Sequence, residues 1–224
     1  MARFHILLGL TVCFFAWLFF LAFPNLDLHL ASHFYNESGN YFIGNYDPAL
    51  IFLHRFAKIF PIVISIIVIL FLLSSLIIKA LQLKCRKEIL FVILCLWIGP
   101  GLIVNAVFKD HWGRPRPAMV QEFNGDKIFQ KPFVISSQCN RNCSFVCGDA
   151  SVGFWLFAFM PLFIRRKKKA LAFALAILAG GGLGWMRMAQ GGHFFSDVVF
   201  SGIVVYISTW AVYAIMYRKT KPKH

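Results

Sequence analysis

Two short segments of this chain, 109–117 and 187–197, combine the side chains that could transfer a phosphoryl group. The first crowds cations into a loop stiffened by a glycine and two prolines, and the second carries one more cation followed by a histidine and an aspartate. Phosphoryl transfer spreads negative charge over three oxygens, so several fixed cations must converge on one point. The candidate residues are Lys109, Arg114, Arg116, Arg187, His193 and Asp197.

The loop 109–117 is suited to holding cations in fixed positions. Arg114 and Arg116 each precede a proline, which restricts them to extended geometry. Arginine offers a two-pronged donor to phosphate oxygens, whereas lysine offers a point charge. A basic loop beside a membrane can also simply contact lipid headgroups, so this segment alone leaves both functions open.

His193 and Asp197 predict a nucleophile with an orienting carboxylate. If the last apolar segment begins near Gly192, the two side chains lie on one helical face. The carboxylate can then accept the proton of one ring nitrogen and leave the other free to attack phosphorus. A His–Asp pair at this spacing is more often structural, but Arg187 nearby and a carboxylate at a membrane surface favour a functional site.

The composition indicates that a membrane surrounds these segments. The 224 residues are 59% hydrophobic and 14% charged, which is too apolar for an ordinary soluble domain. Crossing a bilayer core takes roughly 20 residues, and six segments approach or exceed that length: 5–23, 60–78, 89–108, 151–164, 170–186 and 195–216. We expect an all-α, polytopic membrane protein, with residues 1–224 forming one six-helix bundle whose outer loops and short helices build the site.

The distribution of Lys and Arg predicts the orientation of this bundle. Fourteen of the 23 basic residues fall on one side, and eight of the nine acidic residues fall on the other. Because basic loops remain in the cytoplasm, both termini are expected there, and both candidate segments are expected on the outer face. The net charge of +14 is thus mainly a topology signal, and no basic face of a soluble domain indicates nucleic acid.

Two features of the outer loops leave alternatives open. Cys139 and Cys143 face an oxidising space, which favours a disulfide, although free thiols are about equally expected. A zinc site is disfavoured, since no histidines stand nearby at the usual spacing. His54, Arg55 and Lys58 share a helical face, which fits either a helix lying in the membrane interface or the start of an extended second span.

The order and spacing of the motifs resemble the type 2 phosphatidic acid phosphatase superfamily. The matching motifs are Lys109-x6-Arg116-Pro117, Ser144-Phe-Val-Cys-Gly148-Asp149 and Arg187-x5-His193-x3-Asp197. Members are six-helix lipid phosphatases that use no metal or other cofactor and pass through a phosphohistidine. The resemblance implies that Lys109, Arg116 and Arg187 bind the phosphate, that His193 is the nucleophile and that Asp197 orients it. Arg114 is then an auxiliary cation.

The middle motif departs from the family pattern Pro-Ser-Gly-His, because this chain has Val-Cys147-Gly148-Asp149. The Gly148 amide can still donate to a phosphate oxygen, and Cys147 is a weaker donor than serine. Asp149 stands where the histidine would protonate the leaving oxygen. An aspartate with an ordinary pKa of ~3.9 is already ionised at neutral pH, so we hypothesise that burial raises the pKa of Asp149. Otherwise His111 or a water is the acid.

Three further stretches resemble the bacterial lipid A 4'-phosphatases within this superfamily: Phe108–Pro117, Cys147–Ser151 and Met1–His5. The resemblance implies a lipid A phosphate substrate from the outer leaflet of the bacterial inner membrane, whose hydrolysis weakens attraction for cationic antimicrobial peptides. The spacing alone also allows phosphatidylglycerol phosphate, undecaprenyl or another polyprenyl diphosphate, or phosphoryl transfer to a second lipid. A membrane transporter or lipid-binding protein that only holds phosphate is the non-enzymatic alternative. No nucleic acid or obligate protein partner is implied.

Overall fold

The structure, a computed structural model, describes residues 1–77, 86–163 and 166–217 and is built from helices and loops. The α-helices are α1 (Ala2–Ala22), α2 (Leu26–Ser32), α3 (Pro48–Ile77), α4 (Arg86–Leu96), α5 (Lys109–His111), α6 (Gly148–Phe154), α7 (Arg166–Ala189) and α8 (Phe195–Met216). Helix α4 continues into α5 through π-helical turns over Trp97–Phe108, which contain Pro100. The one described sheet is a hairpin of two antiparallel strands, β1 (Tyr35–Asn36) and β2 (Tyr41–Phe42).

Five helical segments of the described chain are long and apolar enough to cross a bilayer. They are Ala2–Ala22, Pro48–Ser74, Arg86–His111, Lys167–Ala189 and Phe195–Met216, with 21 to 27 residues each. At 1.5 Å per residue, each reaches about 30 Å, the thickness of the hydrocarbon core. The protein is therefore a helical, polytopic membrane protein, as the sequence predicts.

The fourth predicted span, 151–164, does not form a long helix. Helix α6 covers only seven residues, and a 3-10 helix of five residues, Trp155–Phe159, follows it. Phe154 and Phe157 of this short pair of helices are buried in the core of the bundle. Because these helices are well below the length of a membrane crossing, the expected count of six spanning helices is not confirmed.

The second span begins earlier than the sequence segment 60–78 suggests. Helix α3 runs without interruption from Pro48 to Ile77, so His54, Arg55 and Lys58 lie in the first part of a spanning helix. Of the two alternatives for this basic face, the extended span is the one that the structure has. His54 is thereby placed beside the helices that carry the candidate site.

Helix α8 lies at the centre of the bundle, and α1 and α3 lie at its periphery. Half of the α8 span is buried within the protein, against 11% of α1 and 6% of α3. The main core cluster includes Phe145, Phe154, Phe200 and Trp210. Outward-facing leucines, isoleucines and phenylalanines on α1 and α3 provide the apolar surface that a lipid environment requires.

The two ends of the bundle differ in charge. At one end, Lys169 at the start of α7 lies 3.6 Å from the sulfur of Met1, and the ammonium of Lys87 lies 4.4 Å from the ring centre of Tyr217 after α8. The starts of α1, α4 and α7 and the end of α8 therefore meet at this basic end. Of the cations predicted there, Lys79, Lys84, Arg165 and residues 218–224 lie outside the described residues.

Loops at the opposite end form a compact cap over the bundle. Ala31, Phe42, Val120, Phe123 and Phe194 pack into a buried apolar cluster. A disulfide joins Cys139 to Cys143, with the two Cα atoms 5.7 Å apart, and confirms the bridge favoured from the sequence. Both candidate segments, 109–117 and the turn 190–194, belong to this end.

Candidate active site

A cavity of about 560 Å³ opens where α3, α5, α6 and α7 meet. Its polar wall unites all three sequence motifs and contains Lys109, Arg116, Gly148, Asp149, Arg187 and His193. Its apolar wall is formed by α3 and by the π-helical turns after α4, with Ile62, Ile66 and Trp97 among the lining residues. The cavity thus combines a cationic end with a surface suited to hydrocarbon chains.

His193 lies in the turn between α7 and α8 with one ring nitrogen held and the other free. The side chain is 1% exposed, and Nδ1 donates a hydrogen bond to the carbonyl oxygen of Ser144 over 2.6 Å. Because a carbonyl oxygen only accepts, the proton of the neutral ring resides on Nδ1 and Nε2 keeps its lone pair. Nε2 has no hydrogen-bond partner within the described chain, which suits a nucleophile.

Asp197 does not accept the proton of His193 as the sequence analysis expects. Its Oδ2 lies 3.7 Å from Nδ1 of His193, beyond hydrogen-bond distance. The same Oδ2 accepts from the hydroxyl of Ser144 at 2.5 Å and from the backbone N–H of Phe194 at 2.8 Å. Asp197 therefore positions His193 through its neighbours, since Ser144 holds Nδ1 and Phe194 follows His193 in the chain.

Arg114 is wrong as an auxiliary phosphate ligand, because its guanidinium is fully buried outside the cavity wall. Nη2 donates to Asp27 over 2.8 Å, and Nη1 donates to Ser196 and Asp197. Burial lowers the pKa of Arg114, but the carboxylates of Asp197 and Asp27 outweigh burial and raise it overall. Sequence reasoning missed Asp27; the available signal was an isolated acid within the apolar stretch of α2.

The other three cations do meet in the cavity. Lys109 lies against Gly148, where an added Cβ would stand 2.6 Å from Nζ. Arg116 donates from Nη2 to the carbonyl oxygen of Asn142 over 2.8 Å. Burial, and then the neighbouring charge of Arg187, lower the pKa of Arg116, as expected for two guanidinium groups brought close together in a shielded site.

The same environment keeps His193 neutral. Burial is the main cause that lowers the pKa of His193 to about 4, and the charges of Lys109 and Arg187 lower it further against the opposing effect of Asp197. A neutral imidazole at physiological pH is the form that can attack phosphorus. The neutral ring and the free Nε2 both suit the nucleophile that the sequence predicts.

Arg187 is held by partners that the motif does not include. Its Nη1 donates to the side-chain oxygen of Gln190 over 2.6 Å. A Cβ on Gly192 would lie 2.2 Å from Nη2, so the guanidinium occupies the space that any larger residue would fill. The missing side chain at Gly192 thus leaves room for the guanidinium of Arg187. Gln190 had no recognisable signal in the sequence beyond its position three residues after Arg187.

The hypothesis that Asp149 is a protonated acid is wrong. Oδ2 of Asp149 lies 3.0 Å from Nε of Arg187 and 3.3 Å from Nδ1 of His54. Burial by itself raises the pKa of Asp149, but the interactions with His54 and Arg187 outweigh burial and lower the pKa to about 2. The carboxylate therefore stays ionised at neutral pH and forms close charge contacts with these two side chains.

The remaining predicted residues separate into one that lines the cavity and two that do not. Gly148 lies on the wall. Cys147 is buried behind it, its backbone N–H donates to the carbonyl oxygen of Asp197 over 3.1 Å, and burial raises the pKa of its thiol to about 12. Cys147 is not among the residues that line the cavity, and its role as a phosphate donor stays a prediction. His111 is exposed, with Nδ1 2.9 Å from the carbonyl oxygen of Val107, and it lies outside the cavity wall.

His54 is a titratable residue of the cavity that the motifs did not reveal. It lies on α3, and its Nε2 is 3.3 Å from Nη1 of Arg187. Lys58, one helical turn later, lines the same cavity, whereas Arg55 does not. The available signal was a pair of polar residues four apart in an apolar helix, for which the sequence analysis left open an interfacial helix or the start of an extended span.

Comparisons with known proteins cover nearly the whole chain. Residues 89–221 match the PAP2 superfamily. The chain is 74% identical over 219 residues to a lipid A 4'-phosphatase of Francisella tularensis subsp. novicida (strain U112), which covers 98% of this chain and 99% of the relative. Lipid A 4'-phosphatases of Rhizobium leguminosarum and Rhizobium etli are 40% and 37% identical over 123 residues, or 52% of this chain and 51% and 46% of theirs. No solved structure gives a significant match.

With its motif residues gathered in one cavity and more than half of its length matched, the chain belongs to the PAP2 superfamily, the type 2 phosphatidic acid phosphatases.

Proposed function

We propose that this protein removes the 4'-phosphate from lipid A at the outer face of the bacterial inner membrane. The observation that carries this function is the free Nε2 of a neutral histidine in a cavity that also contains three cations and an apolar wall. The relatives named above, which are lipid A 4'-phosphatases, support the choice of substrate.

Lys109, Arg116 and Arg187 bind the phosphate oxygens in this proposal. The paired donors of an arginine guanidinium match two oxygens of the tetrahedral phosphate. The three positive charges offset the negative charges of a phosphate monoester. These side chains supply the charge stabilisation that metal ions provide in other phosphatases. The Gly148 backbone completes the wall beside Lys109.

His193 then attacks phosphorus in line with the bond to the sugar oxygen. The P–O bond breaks, its electron pair leaves with the sugar oxygen, and that oxygen takes up a proton. Water attacks the phosphohistidine, which returns the electron pair to Nε2 and releases inorganic phosphate. The carbonyl of Ser144 keeps the Nδ1 proton in place throughout, and Asp197 holds Ser144.

The membrane arrangement follows from charge and cavity shape. We place both termini in the cytoplasm, because the basic ends of α1, α4, α7 and α8 lie opposite the cavity. Acyl chains of the substrate then lie along the apolar wall between α3 and the turns after α4, which includes Ile62, Ile66 and Trp97. Residues 1–224 act as a single membrane-embedded phosphatase domain.

Mass spectrometry of lipid A from cells with and without the protein tests this function. Lipid A from cells that produce the wild-type chain should lack the 4'-phosphate, and lipid A from cells that produce His193→Ala should keep it. Arg55→Gln, a change on α3 outside the cavity wall, should behave as wild type. Equal dephosphorylation by His193→Ala would overturn the catalytic role and favour a binding protein.

Radiolabelled substrates offered in parallel test the choice of lipid. Purified protein should release phosphate fastest from lipid A, compared with phosphatidylglycerol phosphate and undecaprenyl diphosphate. Inclusion of a second lipid as acceptor would reveal transfer in place of hydrolysis. Faster release from either competitor would contradict the assignment of the substrate while leaving the phosphatase chemistry in place.

A further inference from the structure

The reaction proposed above needs a proton donor at the leaving oxygen. A sugar alkoxide is a strongly basic leaving group, and general acid catalysis at such a site contributes typically 10²–10⁴-fold in rate. Asp149 occupies the motif position of the expected donor, yet it is a carboxylate paired with Arg187 over 3.0 Å. A group other than Asp149 must therefore protonate the leaving oxygen.

His54 is a second histidine of the cavity. It reaches the cavity from α3, outside all three motifs, and is among the residues that line it together with His193. Its Nδ1 lies 3.3 Å from Oδ2 of Asp149, and its side chain is 19% exposed. The carboxylate thus faces Nδ1, while the other ring nitrogen, Nε2, faces the cavity side chain of Arg187 and accepts from its Nη1.

We propose that His54 is the general acid of this enzyme and that Asp149 is the residue that positions it. The inference rests on the proposed phosphatase function and adds the identity of the proton donor. Asp149 thereby keeps a place in the leaving-group step, as an acceptor that orients an imidazole from another helix.

The contact between His54 and Arg187 fits this role. Nη1 of Arg187 donates to Nε2 of His54 over 3.3 Å, so both atoms border one place in the cavity. Arginine only donates hydrogen bonds, so once Nε2 carries the proton that it is to give away, the two groups need an acceptor between them. A phosphate ester provides two such acceptors, a phosphoryl oxygen for Arg187 and the leaving oxygen for His54.

The proton balance closes over the two steps. When His193 attacks and the P–O bond breaks, Nε2 of His54 gives its proton to the sugar oxygen and becomes neutral. In the second step, neutral His54 takes a proton from the attacking water, and the P–N bond breaks with its electron pair returning to His193. Both histidines are then restored, with inorganic phosphate and a free sugar hydroxyl as products.

Two substrates with different leaving groups test the inference. His54→Gln should lower kcat/KM on lipid A by about 10²–10⁴-fold, because the alkoxide then leaves without a proton. The same variant should change little in kcat/KM on an acylated nitrophenyl phosphate, because kcat/KM reports phosphoryl transfer to His193 and a nitrophenolate leaves without protonation. The two substrates are therefore compared by kcat/KM. Retained phosphoryl transfer from the second substrate also shows that the variant folds and that His193 still reacts.

Two further variants separate positioning from acid catalysis. Asp149→Asn combined with His54→Gln should be no slower on lipid A than His54→Gln alone, since Asp149 acts through His54. Arg55→Gln is the matched control on α3 and should behave as wild type on both substrates. A double variant that loses far more than His54→Gln alone would overturn the positioning role of Asp149.

Two outcomes with His54→Gln would overturn the acid role. One is a normal rate on lipid A, and the other is an equal loss on both substrates, which would indicate a structural or phosphate-binding role. His193→Ala tests the proposed function separately, because it should abolish turnover of both substrates. Phosphate release by His193→Ala at the wild-type rate would contradict the proposed phosphatase mechanism itself, independently of the rates measured for His54→Gln.

Discussion

Arg114 and Asp197 form an ion pair that is sealed from solvent, with both side chains 0% exposed. The pair joins the loop that carries Arg116 to the first turn of α8. Since Asp197 also accepts from Ser144, whose carbonyl holds His193, the arginine supports the nucleophile through a chain of three contacts. Two arginines two residues apart thus serve different purposes, one for the scaffold and one for the cavity.

Replacement of Arg114 by Gln should destabilise the protein strongly. The change leaves the buried carboxylates of Asp27 and Asp197 without their cation, and breaking such a pair typically costs ~3–5 kcal/mol. A lower midpoint of thermal unfolding in detergent would report the loss. Arg141→Gln, at an exposed loop position, serves as the control and should unfold like wild type. An unchanged midpoint for the Arg114 variant would contradict the structural role.

Substitution of Gly148 by Ala should weaken phosphate binding without unfolding the protein. The new Cβ would stand 2.6 Å from Nζ of Lys109 and 2.6 Å from Oδ1 of Asn105, and both atoms are ends of side chains that can move away. The displaced ammonium gives up a charged hydrogen bond worth ~1.5–3 kcal/mol, so the inhibition constant of inorganic phosphate should rise at least about tenfold. Competitive inhibition measured at constant pH tests this expectation.

Gly181→Ala is the matched control for that experiment. An added Cβ at Gly181 meets no atom within 4 Å. Its inhibition constant should equal that of wild type, and both variants should share the wild-type unfolding midpoint. If Gly148→Ala binds phosphate normally, Lys109 does not contact the ligand from the position proposed here.

His193 should stay neutral in acid well below the range of an ordinary histidine. Burial and the nearby cations lower its pKa to about 4, whereas a histidine in an unfolded chain has a pKa of ~6.5. Between these values the native ring is neutral and the unfolded ring is charged, so this residue's contribution to stability falls as the pH drops from 6.5 toward 4. NMR of protein labelled with ¹⁵N-histidine should show a neutral ring at pH 5.

The signal of His193 is identified by its loss in His193→Ala. His29, which is partly exposed on α2, offers an internal comparison. A His193 ring that titrates near pH 6.5 would mean that the site is more open to water than the structure has it.

Reduction of the disulfide between Cys139 and Cys143 should weaken binding of the substrate phosphate. The bridge closes a short loop that contains Asn142, whose carbonyl oxygen accepts from both Nε and Nη2 of Arg116. Loss of one such hydrogen bond is worth ~1 kcal/mol, or about a fivefold rise in KM, with kcat less affected. Kinetics with and without a thiol reductant measure the effect.

The variant with serine at both Cys139 and Cys143 provides the control for the reductant. Its KM should be raised both with and without the reductant. Wild-type protein that keeps its KM after complete reduction would show that the bridge does not support Arg116.

The amino-acid sequence alone was sufficient for the fold class and for most of the cavity. Apolar segments of about 20 residues specify spanning helices by length and composition, whatever they pack against. Lys109, Arg116, Arg187 and His193 could be named because cations and a histidine at fixed spacing limit the chemistry that a segment can perform. For Cys139 and Cys143 the sequence favoured a bridge but left free thiols about equally expected, and the structure decided between them.

Tertiary contacts decided the rest, because the partners are remote in the chain and burial sets the charge of each group. Arg114 meets Asp27 across 87 residues, and Arg187 meets His54 across 133. No local pattern distinguishes Arg114 from Arg116, yet one is enclosed with two carboxylates and the other lines the cavity. The ionised state of Asp149 likewise depends on neighbours from α3 and α7, and only the packing of those helices brings them within 3.3 Å.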